Sequence, residues 1–433
     1  MSILPASGIG DESTGFYPFE ISQSLRFDDD SDCRMSRVVG DGSGSGGGDR
    51  RTFTLSVWLK ISKPGSSARI FEGYTSASQY TGLGFDSSNR IRFDRLQDGV
   101  TNTVYSNDVF RDTTNFYHFV WSIDTEQSTA SNRVRFYVNG TELTSKGTAG
   151  SGYPSQNLNT IINLSGQSTQ HAVGRFGANT NANFDGYMAE MNFIDGTQLG
   201  PSSFGETKNG VWVPKSVSGL TYGTLGFRLT FADSSDLGNN ANSTDGTNDF
   251  TTVSNLVAAD VVLDSPTNNF CTLNALSGGD HDATLTEATL KASGSDKAAI
   301  GTFGMTSGKW YWEGRCGSIG GSNFIGVVKM NYVEKDQGSS HTYGRTYANN
   351  GSVYTVAVTS FATGTTYTTG DIIGVAVDLD NGTIKWYKNG TLNSNSTVSD
   401  LNSHVDGNQG WLPWTNFGNA TGDFVLNFGQ DSS

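Results

Sequence analysis

Almost every patterned stretch of this chain repeats with a period of two. In residues 53–59, Phe53, Leu55, Val57 and Leu59 share one face and alternate with Thr54, Ser56 and Trp58, as in a strand with one buried side. Ile91 and Phe93 alternate with Arg90 and Arg92 in the same way, and residues 133–138 do so before Asn139-Gly140. Asn-Gly directly after an alternating strand predicts a two-residue hairpin, because both central residues of a type I′ turn need positive φ. The device recurs at Asn389-Gly390, after residues 384–388. No segment longer than ten residues keeps the i, i+3, i+4 apolar spacing of a helix. An all-β chain of short strands with Gly, Asn and Ser turns follows, and such chains form sandwiches or barrels.

Length and composition narrow this further. At 433 residues the chain has room for two or three domains with cores of their own. Lys and Arg number 28 against 42 Asp and Glu, a net charge of −14, which argues against a nucleic-acid groove, because phosphate binding needs clustered cations. Cys33, Cys271 and Cys316 lie far apart with no C-x-x-C, so neither a disulfide framework nor a zinc site is expected. No run approaches the ~18 apolar residues of a membrane helix, and the first residues lack a leader pattern, so membrane insertion and export through a cleaved leader are not expected. The eight Asn-x-Ser/Thr sequons read as turn chemistry in a chain rich in Asn, Gly, Ser and Thr.

Four regions are expected along the chain. Residues 1–21 hold little patterned apolar sequence and read as an N-terminal arm, a candidate anchor. Residues 22–205 carry the first set of strands, with a Gly-rich loop at 40–49 that has no side chains to pack. Residues 206–274 form a connecting segment in which 211–214 and 226–231 supply edge strands, and the polar run 233–249 holds the domain boundary. Residues 275–433 form a second sandwich.

The first sandwich resembles the laminin-G-like, concanavalin A-like jelly-roll family. The resemblance rests on Leu25-Arg26-Phe27-Asp28, residues 53–59, residues 116–121, residues 134–140, Ala172-Val173-Gly174-Arg175 and Phe184-Asp185-Gly186-Tyr187. It implies two curved antiparallel sheets with the first and last strands adjacent. The C-terminal part resembles a SPRY domain, through Lys309-Trp310-Tyr311-Trp312-Glu313, residues 370–378, residues 384–390, Trp411-Leu412-Pro413-Trp414 and residues 424–430. The pairing, bridged by residues 226–238 and 264–270, is similar to virion proteins of tailed bacteriophages, particularly marine ones, where such modules serve as tail-fibre, appendage or capsid-decoration parts.

Catalysis is testable from the sequence. Retaining glycoside hydrolases place two carboxyls ~5–5.5 Å apart, commonly on one strand face. On residues 190–195, Glu190 and Asn192 share a face while Asp195 faces away, so one carboxylate is missing. The five histidines, His118, His171, His281, His341 and His404, form no H-E-x-x-H, and no G-x-S-x-G is present. The chain is therefore expected not to be an enzyme.

The laminin-G resemblance implies a calcium ion at the sandwich rim. Asp28, Asp29, Asp30 and Asp32 cluster after the first strand, and Asp185 is expected beside them; Asp28, Asp30 and Asp185 are the expected ligands. Tyr74, Tyr80 and Tyr105 read as loop tyrosines serving local packing, and Trp310, Trp312 and Trp386 as core. The SPRY resemblance implies partner binding by loops at one end, where Tyr343 and Tyr347 are the expected contacts. Together these features suggest a virion structural protein, a tail fibre or appendage, that attaches to host-surface glycan. Its partners would be other tail or capsid subunits, with neither nucleic acid nor a membrane among them. The competing readings are a decoration protein that stabilises the particle and a polysaccharide depolymerase. Homo-oligomers are common among fibres, yet no heptad repeat specifies one here.

Overall fold

The computed structural model describes residues 15–40, 47–175, 177, 182–244, 246–277, 282–330, 343–355, 360–363, 365–402 and 410–431. The expected arm before residue 15, most of the Gly-rich loop, and His281, His341 and His404 lie outside these residues. Among the described residues the regular structure is β, with three short 3₁₀ turns and no α-helix. The all-β expectation therefore holds, and the chain divides into two compact units between Asn269 and Phe270.

In the first unit two antiparallel sheets enclose one core. One sheet runs, in spatial order, Thr141–Glu142, Val134–Val138, Tyr117–Asp124, Thr52–Ile61, Gly186–Asp195, Ser24–Phe27 and Val261–Val262, and Phe227–Leu229 also pairs with Gly186–Asp195. The other runs Lys146–Gly150, Val100–Ser106, Ile91–Gln97, Gln79–Phe85, Ala68–Ser76, Gly166–Val173, Arg34–Val39 and Thr252–Ser254. Phe53, Leu55, Val57 and Leu59 face Phe71, Leu83, Phe93 and Val104 across the core, all fully buried. Each such side chain contributes roughly 1.5–3 kcal/mol on leaving water. The first strand lies beside the closing one, with Leu25 opposite Met188.

The polar face of Thr52–Ile61 is buried as well, which the alternation alone does not show. Thr54 donates to the Thr197 carbonyl at 2.8 Å, and Ser56 meets His118 Nε2 at 2.8 Å. Lys60, fully buried, reaches Asp264 Oδ2 and Asn269 Oδ1, each at 2.9 Å. The sequence reading set residues 206–274 apart as a connection. In the structure Phe227–Leu229 joins the closing strand and Thr252–Ser254 joins Arg34–Val39, whereas Val211–Pro214, expected as an edge strand, pairs with Gly205–Lys208 in a separate two-stranded sheet. Ordinary loop composition hides this, because strands of two or three residues carry too little periodicity to read. Residues 19–21 of the expected arm also pack here: Phe19 and Ile21 join Trp58 and Ala189, and Ile21 N–H donates to Thr267 Oγ1 at 3.0 Å.

The second unit repeats the plan. One sheet runs Thr284–Thr286, Lys291–Gly294, Gly422–Asn427, Lys309–Ser318, Ile372–Asp378, Thr383–Lys388 and Thr391–Leu392; the other runs Lys297–Ile300, Trp411–Phe417, Asn323–Lys329, Gly344–Ala348, Ser352–Tyr354 and Ser360–Ala362. Trp312, Trp386 and Trp411 fill its core. Both expected hairpins form: φ is +46° and +83° at Asn139-Gly140, and +48° and +75° at Asn389-Gly390. Asn209-Gly210 closes a third hairpin, between Gly205–Lys208 and Val211–Pro214.

Candidate functional site

The rim of the first sandwich gathers acidic groups where two strands end. Ser24–Phe27 stops at a turn spanning residues 28–32, and Gly186–Asp195 starts just after Asp185, so the pairing of Phe27 with Gly186 carries both acidic segments to one edge. Carboxylate oxygens of Asp28, Asp29 and Asp185 all lie within 4.8 Å of one another. Asp29 Oδ1 and Asp185 Oδ1 are buried without a hydrogen-bond partner. Two facing carboxylates repel, and burial disfavours their charge. Burial first, then the Asp29 carboxyl and the charges of Asp29 and Asp28, push Asp185 well above the ordinary carboxylate range. Lys63 opposes this, with Nζ 2.6 Å from Asp29 Oδ2.

The grouping differs from the expected one by one residue. Asp30 lies outside it; its side chain is 58% exposed and Lys63 Nζ is 3.9 Å away. The tight turn sends successive side chains in different directions, so neighbours in sequence do not converge in space. Asp32 is occupied by Arg34 at 2.7 Å and by Arg175. A cavity of about 10 Å³ lined by Asp29, Lys63, Asn183 and Asp185 adjoins the group, room for one water-sized body. Hard oxygen donors, two of them lacking any partner, suit calcium better than a softer metal.

The carboxylates of the closing strand are spoken for. A bulge sits between Ala189 and Asn192, with Glu190 at φ +48°, and it lets Met188 and Met191 both face the core. Glu190 pairs with Arg228 at 2.5 Å. Asp195 accepts from Asp49 N–H, Asn163 Nδ2 and Leu225 N–H at 2.7, 2.8 and 2.9 Å. A second acidic pair was not visible in the sequence. Glu72 and Asp94 lie on separate strands, flanking Gly82 on the one between, and the register of all three is needed to bring them together. Arg69 ties them, 3.4 Å from Glu72 and 2.7 Å from Asp94, and burial raises Glu72 to about 8. Both carboxyl groups are buried away from the surface.

Tyr74, Tyr80 and Tyr105 stand in strands and not in loops. Tyr74 lies opposite Tyr80 and donates its hydroxyl to Gln170 Oε1 at 2.7 Å; Arg69 covers Tyr80, and Arg90 covers Tyr105 at 3.8 Å. In the second unit Tyr347 does not serve as a surface contact. It is fully buried between Tyr367 and Trp386 and donates to the Thr365 carbonyl at 2.5 Å. It falls on a strand whose every residue is buried, so the aromatic turn reading misplaced it. Tyr343 is half-buried against Ala298, Val328 and Trp414. Trp310, expected in the core with Trp312 and Trp386, is only partly buried.

Residues 43–198 match the concanavalin A-like lectin/glucanases superfamily, and residues 309–425 match the SPRY domain. The chain thus carries a concanavalin A-like domain followed by a SPRY domain, both β-sandwiches. No curated protein matches it. Among solved structures, the SPRY domain of human HERC1 aligns at 19% identity over 33% of this chain and 89% of that one, with a TM-score of 0.26. A heptameric SAP-like pentraxin from Limulus polyphemus aligns at 13% identity over 42% and 79%, with a TM-score of 0.29. A putative carbohydrate binding protein from Bacteroides ovatus aligns at 13% identity over 50% of this chain and 53% of that one, with a TM-score of 0.32.

Proposed function

We propose that this chain is a non-enzymatic adhesion protein of a phage virion, part of a tail fibre or appendage, and that its first domain contacts host-surface glycan with the help of calcium. The observation that carries the proposal is the rim cluster: Asp28, Asp29 and Asp185 converge, and two of their buried oxygens have no partner. These three side chains would hold the ion, with Lys63 displaced or retained on Asp29 Oδ2 as the outer neutralising charge. Bound there, calcium supplies open coordination positions that suit the hydroxyl oxygens of a sugar. The match of residues 43–198 to a superfamily of lectins and glucanases supports a saccharide ligand. The Glu190–Arg228 pair, the three donors on Asp195 and the burial of Glu72 and Asp94 support binding without turnover. The virion assignment rests on the resemblance of the module pair to phage structural proteins, whose neighbours would be tail or capsid subunits.

The test is retention of the full chain on immobilised bacterial surface polysaccharide, with calcium and with a chelator, beside mass spectrometry of purified particles. Calcium-dependent retention that Asp185→Asn abolishes, and peptides of this chain in the particle, are the expected results. Release of new reducing ends from the polysaccharide would overturn the non-enzymatic reading. Particle incorporation with no retention on any polysaccharide would replace attachment by decoration.

A further inference from the structure

The outer face of the second unit's larger sheet carries an aromatic trough that the rim cluster does not explain. Three neighbouring strands, Lys309–Ser318, Ile372–Asp378 and Thr383–Lys388, align Tyr311 with Ala376 and Lys385, Glu313 with Gly374 and Tyr387, and Lys309 with Asp378 and Thr383. Ala376, small and on the middle strand, leaves a floor between taller walls, while the Tyr311 side chain lies over Gly374. Tyr311 and Tyr387 meet edge to face, ring centres 6.4 Å apart and planes at 78°, and Trp310 also lines the space. The space is about 330 Å³, at the lower end of the ~300–1,000 Å³ usual for ligand sites. A Cβ on Gly374 would come within 2.4 Å of the Tyr311 hydroxyl, so that position has to stay bare.

The charges in the trough are unequal in availability. Asp378 is saturated: it accepts from Asn381 N–H at 3.1 Å and Asn381 Nδ2 at 2.9 Å, and pairs with Lys309 at 3.3 Å. Glu313 accepts the Tyr311 hydroxyl at 2.7 Å. Lys385, half-exposed on the wall, has no ion-pair or hydrogen-bond partner among the described residues. Besides the Asp378–Lys309 pair, the charges at the trough are Glu313, occupied by the Tyr311 hydroxyl, and Lys385, the cation that stays open to a ligand. The middle strand is paired on both sides, so no backbone groups remain for an added peptide strand. A ligand has to bind by laying a face on the tyrosines and offering an anion to Lys385.

We propose that this trough binds an acidic saccharide, a pyranose face stacking on Tyr387 with Tyr311 against its edge while the sugar carboxylate pairs with Lys385. Phenol faces take the C–H face of a sugar at little entropic cost, and Lys385 selects the uronic acid over its neutral counterpart. The site is separate from the rim cluster, and its binding does not need calcium.

The experiment is titration of the full chain, in chelator, with tetrasaccharides of galacturonate, glucuronate, mannuronate and guluronate, a neutral galactose tetramer and tetraglutamate, followed by intrinsic tryptophan fluorescence and calorimetry. The proposal expects at least one uronate to bind and the neutral tetramer to bind about tenfold or more weakly. It also expects added salt to weaken binding, and Lys385→Gln and Tyr387→Ser each to reduce it about tenfold or more with unchanged melting temperature. No binding of any uronate, binding untouched by both substitutions, or tetraglutamate binding as tightly as the best uronate would overturn it. Because chelator is present throughout, loss of the calcium reading leaves this result standing, and the reverse holds too.

Discussion

Single residues decide both the turns and the acid response. Asn139 and Asn389 each do two jobs: each adopts positive φ, and each side-chain oxygen accepts a neighbouring strand's N–H at 2.8 Å, from His118 and Ile372 respectively. This also accounts for two of the sequons as turn residues. Asn389→Gly keeps the backbone geometry and loses the side-chain hydrogen bonds, from Ile372 N–H and to Asp371 Oδ1, so it is expected to cost less than Asn389→Ala. The alanine variant adds left-handed strain, for about 1–2 kcal/mol in total by urea unfolding. His118 sits between Trp58 and Trp212, accepts the Trp212 indole N–H at Nδ1 over 3.1 Å, and is lowered by burial to about 3. The unfolded chain takes up a proton near 6.5 while the folded chain does not. Stability from this residue is therefore complete above pH 6.5 and falls as the pH drops toward 3, by up to about 1.4 kcal/mol per unit. His118→Gln should show a shallower loss across that window in urea unfolding at successive pH values, and an unchanged slope would contradict the assignment.

At the scale of elements, the short strands after the closing strand are the part that sequence periodicity does not reach. The strong alternation of residues 53–59 and the two Asn-Gly turns were legible because each is a local pattern with a local cause. The pairing of Val261–Val262 with the first strand, and the bulge at Glu190 that changes which side chains face inward, depend on distant residues. So does the buried Lys60 to Asp264 contact, which ties residues 264–269 to the strand Thr52–Ile61 within the first unit. Replacing Lys60 by Met leaves Asp264 buried beside an apolar chain and is expected to cost about 3–5 kcal/mol. The double variant with Asp264→Leu should recover much of that loss. Equal stability of the single and double variants in thermal unfolding would show that the pair is not coupled. The rim cluster was half legible for the same reason: the acidic run and Asp185 could be paired through strand order, but the turn geometry that selects Asp29 over Asp30 could not.

At the scale of the whole molecule, two β-sandwich units each carry an aromatic core and a separate surface chemistry. The first gathers carboxylates with unpartnered oxygens at a rim, and the second presents a lysine over a tyrosine trough. The resemblance made both sandwich classes legible in advance, whereas the trough was not: Trp310, Tyr311, Lys385 and Tyr387 read as ordinary strand residues until three strands are set side by side. In the proposed function, a surface of this kind adheres to glycan without cleaving it. The most direct test of that account is calcium titration of the full chain by calorimetry at pH 7.5 and at pH 5, with Asp185→Asn alongside. Calcium competes with protons for Asp185, whose affinity for a proton is raised, so binding should be present at the higher pH, weaker at the lower one, and absent in the variant. Binding of equal strength in wild type and Asp185→Asn, or none at either pH, would contradict it.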